Sequence, residues 1–179
     1  MLAVCRAKGM TYGKFINYEK GKTKPKTIFM AVIVIIIVGM AGMQIAGLLV
    51  YGEMPHFPLV MIQPIPMWIA IANILLLPLT TTLAEDGLYL GVINQTGSKF
   101  VLAASAFFYA LQHSFIPLIP DAGFIAYRFL SFLPLTIIMC VWYNKTKNPL
   151  PFMVGHFIIN LATVAQIVMI SASPDIFEI

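Results

Sequence analysis

Residues 27–51, TIFMAVIVIIIVGMAGMQIAGLLVY, contain no charged side chain. No other feature narrows the possible folds as much. The run exceeds the roughly 20 apolar residues that a helix needs to cross a bilayer. In hydrocarbon, only helices and closed barrels satisfy every backbone N–H and C=O. The run is too long for a secretory signal, and no small-residue cleavage pattern follows it. Four more apolar runs come after it, at about 67–93, 100–118, 124–143 and 150–172. Gly, Pro, Asn and Lys separate them, as turn residues do. Pro78 and Pro134 fall inside runs, where membrane helices tolerate a kink. The chain is 60% hydrophobic and 10% charged, against about a quarter charged in soluble domains. Mean hydropathy is +0.89. The expectation is an all-α membrane protein, a bundle of about five transmembrane helices.

Charge orients the bundle. Arg6, Lys8, Lys14, Lys20, Lys22, Lys24 and Lys26 precede the first run, and Lys99, Lys145 and Lys147 lie in later even-side loops. Glu53, Asp121, Asp175 and Glu178 fall in the alternate loops. Positive-inside counting then puts the N-terminus in the cytoplasm and the C-terminus outside, in what reads as a prokaryotic cell membrane. The expected divisions are 1–26, a basic cytoplasmic segment; 27–51, the first span; 66–172, a core of four spans; and 173–179, a short extracytoplasmic tail. This bias explains the net charge of +4. Acidic lipid headgroups are its natural partner and nucleic acid is not called for. Residues 1–4 read as the tail of an earlier helix. Cys5 and Cys140 fall in different environments, so no disulfide is expected.

Against this background, Glu85 and Asp86 stand side by side within the second run. An ionised group at mid-membrane costs about 2.5–3.5 kcal/mol on insertion scales, so it marks a protein interior or a cavity. His113 lies in the third run, and His156 and Asn160 in the fifth. Glu85 and His113 are each about 14 residues from Lys99, or roughly 21 Å along a helix. His156 and Asn160 are about 9 and 13 residues past Lys147, or roughly 14 and 20 Å. Spans two, three and five thus place their strongest polar groups in one layer. His156 and Asn160 share a helix face, as do Tyr109 and His113. Thr81, Thr82, Glu85 and Tyr89 are expected on one face of span two. A carboxylate, two imidazoles and a carboxamide in a membrane cavity have the makings of a hydrolytic site, with the carboxylate suited to general-base work on water.

Three short motifs carry a resemblance. Glu85-Asp86-Gly87-Leu88-Tyr89-Leu90, Tyr109-Ala110-Leu111-Gln112-His113 and His156-Phe157-Ile158-Ile159-Asn160 stand in that order. The pattern resembles the CAAX-protease and bacteriocin-processing (CPBP, Abi) family of intramembrane endopeptidases, with its Glu-Glu-x-x-x-Arg, Phe-x-x-x-His and His-x-x-x-Asn motifs. The match covers about 66–172. The resemblance implies hydrolysis of a peptide bond in a hydrophobic or lipidated peptide. It makes Glu85 and His113 the pair that activates water, and His156 and Asn160 the oxyanion donors, with Asp86 and Tyr89 in support. The family has also been described as metallopeptidases, and Glu85, His113 and His156 could then supply three ligands to a zinc ion. Both mechanisms stay open at this point.

Two positions depart from the motif: Asp86 replaces the second glutamate and Leu90 the arginine. They lie one turn apart, so losing the arginine would strand a buried charge; shortening the acid and keeping it protonated softens that penalty. Arg128 sits near the outer end of span four, away from this role. The alternative to an enzyme is a catalytically inactive relative, a bacteriocin-immunity or other membrane binding protein. Elsewhere the bland readings are preferred. Thr80, Thr81 and Thr82 are expected to bond to their own helix carbonyls. Gly42 and Ala46 form a small-residue packing pair. The Pro-rich loop around His56 is expected to be interfacial.

Overall fold

A computed structural model describes residues 2–54, 64–116 and 119–173 of the chain. Within them every regular element is a helix: α1 (Leu2–Ala7), α2 (Tyr12–Phe15), α3 (Pro25–Tyr51), α4 (Met67–Thr80), a π-helical turn (Thr81–Asp86), α5 (Gly87–Thr96), α6 (Lys99–His113), α7 (Ala122–Thr146) and α8 (Leu150–Ala172). His56, most of the Pro-rich loop, Leu118 at the end of the third run, and Asp175 and Glu178 of the expected tail lie outside the described residues.

The ends of the helices follow local chemistry. Pro25 opens α3, where its missing N–H costs nothing. Gly52 closes it at φ +78, a left-handed conformation that glycine adopts freely. Asp121 caps α7 by accepting the Phe124 N–H at 2.6 Å. Pro78 and Pro134 both lie within continuous helices, as expected.

Four helices are long and apolar enough to cross a membrane: α3, the continuous Met67–Thr96 rod made by α4, the π-turn and α5, then α7 and α8. The third expected span differs. The α6 helix has 15 residues, about 22 Å at 1.5 Å per residue, against roughly 30 Å of hydrocarbon. It ends at His113, where the chain turns. Arg128 of α7 meets that turn, donating from Nε to the His113 carbonyl at 3.1 Å and from Nη2 to the Ile116 carbonyl at 2.6 Å. Carbonyls freed at a helix end are good partners for a buried cation. The five expected spans are therefore four long helices and one short one among the described residues.

The bundle is organised around α7 and α8. α3 packs on both, α6 packs on α7, and α4 packs on α8. Small residues allow the close approaches. A Cβ on Gly42 would run into the Ser131 carbonyl of α7, and Ala46 is buried beside Phe124 and Tyr127. The pair therefore packs helices, as its spacing suggested. Helix packing in lipid depends on such contacts, because apolar side chains gain little by leaving hydrocarbon. Many large apolar side chains, among them Phe29, Ile37, Leu49, Leu75 and Phe100, point outward, as a lipid-facing surface requires.

The basic N-terminal segment has a buried side as well as a charged one. Cys5, Phe15 and Ile16 form a cluster with Met153 of α8, and Val92 of α5 packs against it. Both cysteines are free and buried.

Candidate active site

The acid pair sits where one helix changes its pitch. Pro78 has no N–H for the carbonyl one turn earlier. The hydroxyls of Thr80 and Thr81 fold back onto Leu76 O at 2.6 Å and Leu77 O at 2.7 Å. Both features loosen the hydrogen-bond ladder, and the next six residues, Thr81–Asp86, wind as a π-helix. π-turns of this kind recur at functional sites.

The wider turn decides which acid faces inward. Asp86 is fully buried, in line with Thr82 and Leu90; Thr81, Glu85 and Tyr89 form a half-buried stripe beside them. Thr82 therefore does not share a stripe with Glu85. Nor does it bond back to its own helix, since its Oγ1 is buried without a hydrogen-bond partner. Thr80 and Thr81 do, as expected.

Asp86 is the hub of the polar cluster. Its Oδ1 accepts the Tyr109 hydroxyl of α6 in a short hydrogen bond. The same oxygen is 3.1 Å from Nδ1 of His156 on α8, and the Tyr109 hydroxyl is 3.3 Å from that nitrogen. Asp86 is therefore not stranded by the loss of the motif arginine. Tyr109 and His156 take over the pairing, while Leu90 packs with Ile93, Ala106, Cys140 and Tyr143 in a wholly apolar cluster. The second oxygen, Oδ2, is buried and has no hydrogen-bond partner.

Around this hub the aromatic and amide groups interlock. The rings of Tyr89 and Tyr109 stack at 4.5 Å and 11°. The Tyr89 hydroxyl donates to Gln112 Oε1 at 2.9 Å. The Glu85 carboxylate lies near the Gln112 carboxamide and within electrostatic range of His156, while the buried Gln112 Nε2 makes no hydrogen bond. Gln112 and Tyr109 thus belong to the site. The signal in the sequence was their position inside the same short motif as His113.

His113 lies one turn beyond Tyr109. Its Nδ1 is 2.8 Å from the Tyr109 carbonyl. A carbonyl only accepts, so Nδ1 carries the proton and the lone pair of the neutral ring lies on Nε2. The ring stacks on Phe132 at 4.1 Å and 18°. Asn160 donates from Nδ2 to Thr81 Oγ1 at 2.6 Å. Because the Thr81 hydroxyl already donates to Leu77, this contact sets the Asn160 amide with its nitrogen toward the π-turn.

Among the described residues, no group of three His, Cys, Asp or Glu side chains is arranged to hold a metal ion. Glu85, His113 and His156 do not fit a zinc site as they stand. They are not gathered into a group of three, although Nδ1 of His113 on a carbonyl and of His156 on Asp86 is the orienting contact that a ligating imidazole makes, with Nε2 left free.

A helical bundle with a long apolar exterior and acid, imidazole and amide groups buried between its helices defines an integral membrane protein with a polar interior site. Its family can be stated more closely. The model of the type II CAAX prenyl endopeptidase Rce1-like family matches residues 63–162, more than half of the chain, and the chain belongs to that family. No curated protein and no solved structure matches it. Glu85, Asp86, Tyr109, His113, His156 and Asn160 all fall inside the matched region, whereas α1, α2 and α3 lie outside it.

Proposed function

We propose that the chain is an intramembrane endopeptidase that hydrolyses a peptide bond in a hydrophobic or lipidated peptide. The observation that carries this reading is the meeting of Asp86 with Tyr109 and His156, which draws the three family motifs together on three helices. Membership in a peptidase family supports it at the level of reaction class.

In this reading water is the nucleophile. Glu85 takes a proton from it, and the Nε2 lone pair of His113 holds the water in place. As oxygen attacks the scissile carbon, the carbonyl oxygen gains negative charge. His156 and Asn160 donate to it from Nε2–H and Nδ2–H. With Nδ1–H held by Asp86, His156 can offer Nε2–H only as an imidazolium, and the Asp86 carboxylate balances that charge. Collapse of the tetrahedral intermediate breaks the C–N bond, and the proton held by Glu85 passes to the leaving amine. Preorganised donors in a site of low dielectric are worth the most in such a reaction.

A binding protein without turnover is the second reading. What favours it is the apolar seat of Leu90, fully buried where the motif has an arginine. One experiment separates the two. The parent and Glu85→Gln would be purified in detergent and offered quenched hydrophobic and prenylated peptides. Turnover by the parent, lost in a variant of equal thermal stability, is the expected result. No turnover from either would move the reading to binding. The cytoplasmic N-terminus and extracytoplasmic C-terminus belong to the same proposal, supported by the basic residues before α3 and around the α5–α6 and α7–α8 turns.

A further inference from the structure

The N-terminal segment reaches the acid pair. Tyr12 donates its hydroxyl to the carbonyl of Leu83 at 2.8 Å, inside the π-turn that carries Glu85 and Asp86. In an α-helix that carbonyl would accept the N–H of Gly87, but the Gly87 N–H goes to Ala84 O instead. Leu83 O thus loses its α-helical donor, and a hydroxyl from 71 positions away donates to it.

The approach depends on two glycines one turn apart on α5. A Cβ on Gly87 would lie 2.5 Å from the Tyr12 hydroxyl oxygen, and a Cβ on Gly91 would run into the Phe15 ring. The segment is also fastened from behind. Asn94 donates to the Phe15 carbonyl at 3.2 Å, the Tyr143 hydroxyl to the Ile16 carbonyl at 2.9 Å, and Asn17 to the Lys147 carbonyl at 2.8 Å. Burial, with the Asp86 charge adding to it, pushes the Tyr12 hydroxyl up to about 12, so the donor keeps its proton across the physiological range.

We propose that Tyr12 is a positioning residue: by bonding the Leu83 carbonyl it holds the π-turn in the register that turns Asp86 toward His156 and leaves Glu85 on the half-buried stripe. The inference rests on the peptidase reading above. It adds a part of the site that lies outside the family-matched residues. Without the Tyr12 bond the turn can relax toward α-helical pairing, which rotates the acids relative to α6 and α8.

The test compares the full-length parent with Tyr12→Phe, Gly87→Ala, the double variant, Glu85→Gln, and Tyr18→Phe, an exposed tyrosine of the same segment, as control. Peptide turnover is resolved into kcat and KM, and thermal unfolding is recorded for each. Tyr12→Phe is expected to lower kcat by about ten- to hundredfold, the scale of small misplacements of reacting groups, with KM within about twofold. Gly87→Ala, which displaces the hydroxyl without removing it, should do the same. The double variant should be little worse than either single one, because both remove one interaction. Tyr18→Phe should match the parent. An active parent that Tyr12→Phe equals in kcat overturns this inference alone, and so does a loss that merely tracks the unfolded fraction. A parent without turnover overturns the peptidase reading, and this inference with it.

Discussion

Asp86 and His156, one from the π-turn and one from α8, face each other with 3.1 Å between Oδ1 and Nδ1, and the Tyr109 hydroxyl shares the same carboxylate oxygen. This contact joins two helices at the level of the candidate site and replaces the pairing that the motif arginine would have made. Its chemistry is testable separately from that of Glu85. Asp86→Asn keeps an oxygen to accept Nδ1–H but removes the charge that balances an imidazolium. Its kcat is expected to fall on the order of a hundredfold, the loss typical of a weakened oxyanion donor, with KM little changed. Peptidase kinetics beside a melting curve check this; parental kcat in Asp86→Asn would refute the role given to the pair.

Tyr109→Phe keeps the ring stacked on Tyr89 and deletes only the hydroxyl. It leaves the buried carboxylate with one partner fewer, and a buried polar group deprived of its bond costs about 1–3 kcal/mol. Tyr89→Phe, whose hydroxyl meets the half-buried Gln112, should cost less, about 0.5–1.5 kcal/mol. Thermal unfolding in one detergent ranks the two. An order with Tyr89→Phe the more damaging would mean that the Tyr109 hydroxyl does not carry the hub.

Leu90→Arg restores the motif arginine in letters but not in space. Leu90 is fully buried among Ile93, Ala106, Cys140 and Tyr143. A guanidinium there is an uncompensated buried charge, worth about 3–5 kcal/mol of destabilisation. We expect Leu90→Arg to melt well below the parent and to gain no activity. A variant as stable as the parent, or more active, would show that the arginine can still reach Asp86.

The water activation proposed for Glu85 and His113 also predicts an analytical result. Purified protein should contain no stoichiometric zinc by elemental analysis, and a strong chelator should leave turnover unchanged. One equivalent of zinc, lost together with activity on chelation, would establish the metal mechanism instead.

Some of the site was open to reading along the chain, and the reasons differ by residue. His156 and Asn160 are four apart on an uninterrupted helix, so their common face follows from helical geometry alone. Glu85 and Asp86 were conspicuous because charge in an apolar run is costly. Which of them turns inward was not readable. Adjacent residues on a helix point about 100° apart, and one wider turn is enough to exchange their roles. Tyr109 and Gln112 were readable as motif neighbours of His113 but not as partners of Asp86 and Tyr89, since those contacts cross between helices.

Sequence by itself determined that this chain belongs in a membrane, because long uncharged runs can satisfy their backbone in lipid only as helices. It also determined which few polar groups had to find one another inside. Tertiary structure alone decided the rest. The π-turn that buries Asp86, the short α6 capped by Arg128, the apolar seat of Leu90 and the reach of Tyr12 to Leu83 all depend on partners far along the chain. A hydrogen-bond ladder can slip by one residue at little local cost, so the register it takes is set by the neighbours packed against it.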